Sequence, residues 1–285
     1  MASNILGKIS KERTISAVVI VIAALASILP GGIVLAAVLF LISIIGFLEL
    51  TKACGVREKA DSGVYGKING LEIMGCAVIT CYYAAVYFVQ DTSWWVMVII
   101  MALIAIMFVY VFGFPKFHAS QVMDTYFALI YAPVMLSFVF LTRQLEHGIY
   151  LVWMIFISSW ISDTFAYLTG VLFGKHKLAP VLSPKKSIEG SLGGIVGAAL
   201  FGAAFGLYME HTVGEENFAM LLAVVGGVGS VISQVGDLAA SAIKRNHEIK
   251  DYGKLIPGHG GIMDRFDSVI FTAPITYFLI LLFRQ

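Results

Sequence analysis

"WWVMVIIMALIAIMFVYVFGF", Trp94 to Phe114, contains no charged residue. A helix needs about 20 apolar residues to cross the hydrocarbon core of a bilayer, so this stretch reads as a membrane span. Similar stretches recur on both sides of it. Nine spans are predicted, at about 14–29, 32–51, 70–89, 94–114, 125–142, 149–170, 190–209, 218–243 and 265–283. The whole chain agrees. Of its 285 residues, 59% are hydrophobic and 13% charged, against about a quarter charged in a soluble domain. The expected fold is an all-α polytopic membrane protein with about nine transmembrane helices.

Charge placement sets an expected orientation. With the N-terminus in the cytoplasm, seventeen of the 19 Lys and Arg residues fall in cytoplasmic segments, and only Arg143 and Arg284 fall outside. That asymmetry is the positive-inside pattern, and it puts the C-terminus outside. The basic N-terminus "MASNILGKISKERT" resembles a signal peptide, but its apolar run meets Pro30-Gly31-Gly32 and continues into a second span. A helical hairpin fits better than a cleaved leader. Net charge is +1, so no basic field points to nucleic acid. Cys54, Cys76 and Cys81 are an odd number without a CxxC pair, and suggest neither a disulfide framework nor a zinc site. The outer loops are short connectors. The two long polar loops, 171–189 and 244–264, both face the cytoplasm.

Three polar clusters stand out against the apolar background. In the first, residues 162–190, Asp163 interrupts an apolar helix at a cost of a few kcal/mol unless it is partnered. Gly170, Gly174 and Pro180 are expected to break that helix into a loop. Ser183, Lys185, Lys186 and Ser187 then precede Glu189-Gly190 at a helix start. Ammonium groups, hydroxyls and free amides there make a seat for phosphate. They equally fit a positive-inside loop closed by a capping box, although Ser187 is one residue too close to Glu189 for that motif. In the second cluster, Gln234 and Asp237 lie within a span, with Ser241 and Lys244 on the same helix face as Asp237. A structural Asp–Lys pair is the alternative there. In the third, Asp264 and Asp267 are three apart at a helix start, a pattern of oxygen ligands that suits Mg²⁺. Pro257-Gly258-His259-Gly260-Gly261 is a turn with exposed amides, and His259 is either a proton carrier or a local hydrogen-bonding residue. Carboxylates and lysines gathered at one face are what a metal–nucleotide–phosphate site requires.

"SAIKRNHEIKDYGKLIPGHGGIMDRFD", Ser241 to Asp267, resembles the signature of the phosphatidate cytidylyltransferase (CDP-diacylglycerol synthase) family. Ser241, Lys244, Arg245, Lys250, Asp251, Pro257, His259, Gly260, Gly261, Asp264, Arg265 and Asp267 all match it. "SPKKSIEG", "DTFAYLTG" and "SQVGDLAAS" are similar too, so the resemblance spans about residues 160–268.

The resemblance implies transfer from CTP to phosphatidate, giving CDP-diacylglycerol and pyrophosphate. It implies Mg²⁺ with K⁺ as a second cation, and a homodimer in a bacterial cell membrane with its site open to the cytoplasm and to lipid. Carried over, Asp237 and Asp264 are the first metal ligands, followed by Asp267 and Asp163. Ser183, Lys185, Lys186 and Ser187 bind phosphate. Lys244, Arg245 and Lys250 hold the triphosphate, with Asp251, Gly260 and Gly261 in the same substrate-binding loop. Arg265 binds substrate or acts as a counter-ion, and His259 is catalytic or organises the loop. Residues 1–142 are then scaffold, with dimer contact or lipid entry as candidate roles, and 143–285 form the catalytic region.

Two other classes fit less well. A cation-coupled transporter should place its ionisable groups near mid-membrane, with access to both sides. A CDP-alcohol phosphotransferase should carry Asp-Gly-x-x-Ala-Arg, which this chain lacks.

Overall fold

The computed structural model describes residues 16, 18–57, 65–89, 91–214, 216–256 and 260–284. Eight helices among them are long and apolar enough to cross a membrane. They are α2 (Gly32–Ala53), α3 (Gly70–Phe88), α4 (Thr92–Phe112), α5 (Ala119–Gln144), α6 (Gly148–Phe173), α7 (Ile188–Val213), α8 (Phe218–Asn246) and α9 (Met263–Phe283). A shorter apolar helix, α1 (Val18–Ile28), precedes them. The chain is an all-α polytopic membrane protein, as the hydropathy pattern predicts. His259, with Pro257 and Gly258, lies outside the described residues.

Local chemistry sets the helix ends. Gly31 and Gly32 have φ of 65° and 48° between α1 and α2, a left-handed backbone that glycine adopts without strain. At the start of α3, Asn69 Oδ1 accepts from Glu72 N (3.0 Å), and Asn69 N donates to Glu72 Oε2 (3.1 Å). Helix α5 begins six residues before its predicted start. There His118 N donates to the Gln121 side chain at 2.8 Å, and "HASQ" closes a turn that apolar content alone does not signal. Pro133 lies in a π-helical segment of α5, Ile130–Val134. Proline removes one amide from the ladder, and a wider turn accommodates the loss.

One expectation is corrected. Gly170 does not break α6, which continues through Phe173 and ends at Gly174. Beyond it the predicted loop contains a two-stranded antiparallel hairpin, β1 (Lys177–Ala179) and β2 (Ser183–Ser187).

The chain forms two compact units. One comprises Met1–Ser137 and His247–Arg265, the other Phe138–Asn246 and Phe266–Gln285. In the first unit, α4 buries only Ala102 and Ile106, so most of its length is available to lipid. Glu72 is fully buried there. Arg57 meets its carboxylate with Nε and Nη2, at 3.0 and 2.8 Å, and the Thr51 hydroxyl donates to it at 2.9 Å. That satisfies a charge which would otherwise cost several kcal/mol.

In the second unit, α7 packs closely along its buried Gly190, Gly194, Gly202 and Gly206. A methyl group at Gly194 would lie 2.8 Å from the Ser162 carbonyl oxygen, and one at Gly202 would collide with that of Leu222. Small residues at four-residue spacing let membrane helices approach to backbone contact. Leu151, Met154, Met209, Phe218, Leu222, Val225 and Ile280 form the buried apolar core of this unit.

Candidate functional site

The second unit holds a cavity of about 530 Å³. Its lining includes Asp163 and Tyr167 from α6, Lys177 from β1, Ser183, Lys185, Lys186 and Ser187 from β2, Ser191 from α7 and Gln234 from α8. The hairpin is what brings three lysines to one wall. Antiparallel pairing sets Lys177 opposite Ser187, and Ile188 N donates to His176 O at 2.9 Å. Glu189 fixes the corner, accepting from Lys175 N at 3.0 Å and meeting His176 Nδ1 at 2.6 Å. Ser187 is the N-cap of α7 and accepts from Gly190 N at 3.2 Å. Ser187 therefore caps without Glu189, which turns instead to the preceding loop.

Lys186 is central to the electrostatics. Its ammonium ion-pairs with Asp237 Oδ2, and its charge also acts on Asp163 attractively, while that of Asp237 acts repulsively. Lys186 Nζ is shielded from water and makes no aligned hydrogen bond among the described residues. An ammonium carries three donors, more than the one ion pair with Asp237 occupies. Gln234 fixes the rear wall: its Nε2 donates to Ser191 O at 3.2 Å, and its Oε1 accepts from the Ser191 hydroxyl. Asp267 lies on α9 where that helix meets α8, its backbone oxygen 3.0 Å from the position of a methyl at Gly236. Lys244 and Arg245 occupy the last turn of α8.

The remaining predicted residues belong to the first unit. Asp264 is buried, and its Oδ2 accepts from Tyr252 N at 2.8 Å and Gly261 N at 3.0 Å. Gly260 has φ of 88° and pairs with Ile256 in an isolated bridge. Lys250, Asp251 and Arg265 are exposed. A further carboxylate, Glu49 of α2, accepts from Met263 N at 2.9 Å. Glu49 and Glu72 were both overlooked in the sequence, although a carboxylate inside an apolar span is the same signal that singles out Asp163.

Among the described residues, no three His, Cys, Asp or Glu side chains gather as a metal-binding group. Mg²⁺ typically needs only one or two carboxylates, with water and substrate phosphate completing its shell. Asp163 and Asp237, hard oxygen donors that both feel Lys186, fit that modest demand.

These features define a class: a polytopic membrane protein with a lysine-lined cavity backed by carboxylates. The chain belongs to the cytidylyltransferase family, whose model matches residues 11–283. A phosphatidate cytidylyltransferase of Staphylococcus epidermidis is 34% identical over 275 residues, covering 95% of this chain and 99% of its own. Those of Staphylococcus saprophyticus and Staphylococcus aureus are 31% and 32% identical, with the same coverage.

Proposed function

We propose that this protein converts CTP and phosphatidate to CDP-diacylglycerol and pyrophosphate, for phospholipid synthesis. The observation that carries the proposal is the cavity beside Lys186, a space sized for phosphate groups and lined by Lys177, Lys185 and Lys186 with Ser183 and Ser187. Similarity to phosphatidate cytidylyltransferases along nearly the whole chain supplies the substrate pair.

In this reading, Lys177, Lys185 and Lys186 hold phosphate oxygens, with hydroxyl donors from Ser183 and Ser187. An ionised oxygen of the lipid phosphate attacks the α-phosphorus of CTP. One P–O bond forms, the bond to the bridging oxygen between the α- and β-phosphorus breaks, and pyrophosphate leaves with the electron pair. The nucleophile is already ionised, so no strong base is needed. Fixed cations matter more, because they meet charge that builds on the leaving group. Asp163 and Asp237 are the proposed holders of Mg²⁺, with Asp264 and Asp267 as further candidates. When bound, the metal offsets repulsion between the two anionic substrates. K⁺ as a second cation and assembly as a homodimer are proposed from the family resemblance. The proposed orientation has the N-terminus and the site in the cytoplasm, where CTP is found. It is supported by seventeen cationic residues on that side against two.

The test is turnover by purified, folded protein given CTP, phosphatidate and Mg²⁺. The expected result is CDP-diacylglycerol and pyrophosphate in equal amounts. Folded protein that makes neither would overturn the proposal.

A further inference from the structure

We infer that Glu49 is a positioning residue for this reaction, holding from α2 the start of α9 that carries Asp264. Glu49 lies one turn before the end of an apolar span, where an unpartnered carboxylate is costly. Met263 N donates to its Oε2 at 2.9 Å, and the neighbouring Ile262 amide also favours the charge. Met263 opens α9, where the first N–H groups of a helix have no partner within it. Glu49 is thus a helix cap supplied from 214 residues away, and the positive end of the helix favours its charge.

The surrounding glycines fit this role. A side chain at Gly253 would collide with Glu49 Oε1, and one at Gly261 with Oε2. The loop can therefore close on the carboxylate only where side chains are missing. Asp264 completes the arrangement, accepting from Tyr252 N and Gly261 N. Two like charges, one on α2 and one in the first turn of α9, meet the same loop and repel each other. Removal of Glu49 frees the Met263 amide and loosens the segment that fixes Asp264.

The inference rests on the proposed function, so its test includes readouts independent of turnover. The full-length Glu49→Ala and Glu49→Gln proteins are compared with wild type by amide exchange, Mn²⁺ binding and kinetics. Glutamine keeps one acceptor and serves where alanine fails to fold. We expect faster exchange at Ile262 and Met263 and Mn²⁺ affinity lowered about 10–100-fold, the range for residues that orient a metal ligand. We expect kcat to fall by a similar factor, with KM for phosphatidate changed less than about twofold. Glu49→Gln should lie between wild type and Glu49→Ala. Unchanged exchange would overturn the cap. Faster exchange with unchanged Mn²⁺ binding would reduce Glu49 to a purely structural role and overturn the inference. A wild-type protein that binds Mn²⁺ but makes no CDP-diacylglycerol would sink the proposed reaction while exchange and Mn²⁺ binding still judge Glu49.

Discussion

Asp237 and Asp264 are both carboxylates near the end of an apolar helix, yet they are held in different ways. Asp237 meets a lysine side chain from a hairpin strand. Asp264 meets two main-chain amides of the segment that precedes its helix. The lysine is a movable cation with three donors, and it lines a cavity, so in the proposed reaction it serves Asp237 and an incoming phosphate together. The amides are fixed and serve Asp264 only while the loop keeps its shape. The first arrangement suits a group that must respond to substrate, and the second suits one that must stay in place.

Lys186→Ala should show the largest effect. Loss of one cationic donor to a developing charge costs about 10²–10³ in turnover. If Lys186 only balanced Asp237, its loss would show in stability before turnover. We expect Lys186→Ala to stay folded by thermal unfolding while steady-state assays read the loss of turnover. For Asp264, two substitutions separate charge from loop support. Asp264→Ala leaves the Tyr252 and Gly261 amides unpaired, at about 1–3 kcal/mol each. Asp264→Asn keeps an acceptor. Thermal unfolding in detergent should therefore drop clearly for alanine and little for asparagine, while turnover falls in both. Equal melting temperatures for the two variants would contradict the amide-held description. Ser187→Ala should have the smallest effect on stability, about 1 kcal/mol for a lost helix cap, visible as a modest shift in the same unfolding experiment.

Much of the helical plan was legible in the sequence, because a span announces itself by length and hydropathy. Helices α2, α3 and α9 begin within two residues of their predicted starts. The start of α5 was hidden because its first turn, "ASQ", is polar and is set by a hydrogen bond from His118. The hairpin from Lys177 to Ser187 was hidden for a related reason. Short strands rich in lysine and serine carry no alternating apolar pattern, and proline and glycine nearby read as loop. The grouping of Asp163, Ser183, Lys185, Lys186 and Ser187 was readable as chemistry, and the cavity brings these residues together. The pairing was not readable. Within α8, Lys244 lies on the same face as Asp237, whereas the ion pair runs to Lys186 across the fold. Glu49 gave only a faint signal, one acid in an apolar span. Its meaning depends on a loop more than two hundred residues away.

The central claim is that the lysine-lined cavity serves transfer of a cytidylyl group to a lipid phosphate. The most direct test follows the label in purified wild-type and Lys186→Ala proteins, with phosphatidate and then diacylglycerol as acceptor. Wild type should move label from α-labelled CTP into lipid and from γ-labelled CTP into pyrophosphate. That should require phosphatidate, and Lys186→Ala should be nearly silent. Labelled lipid formed from diacylglycerol alone, or undiminished transfer by folded Lys186→Ala, would contradict it.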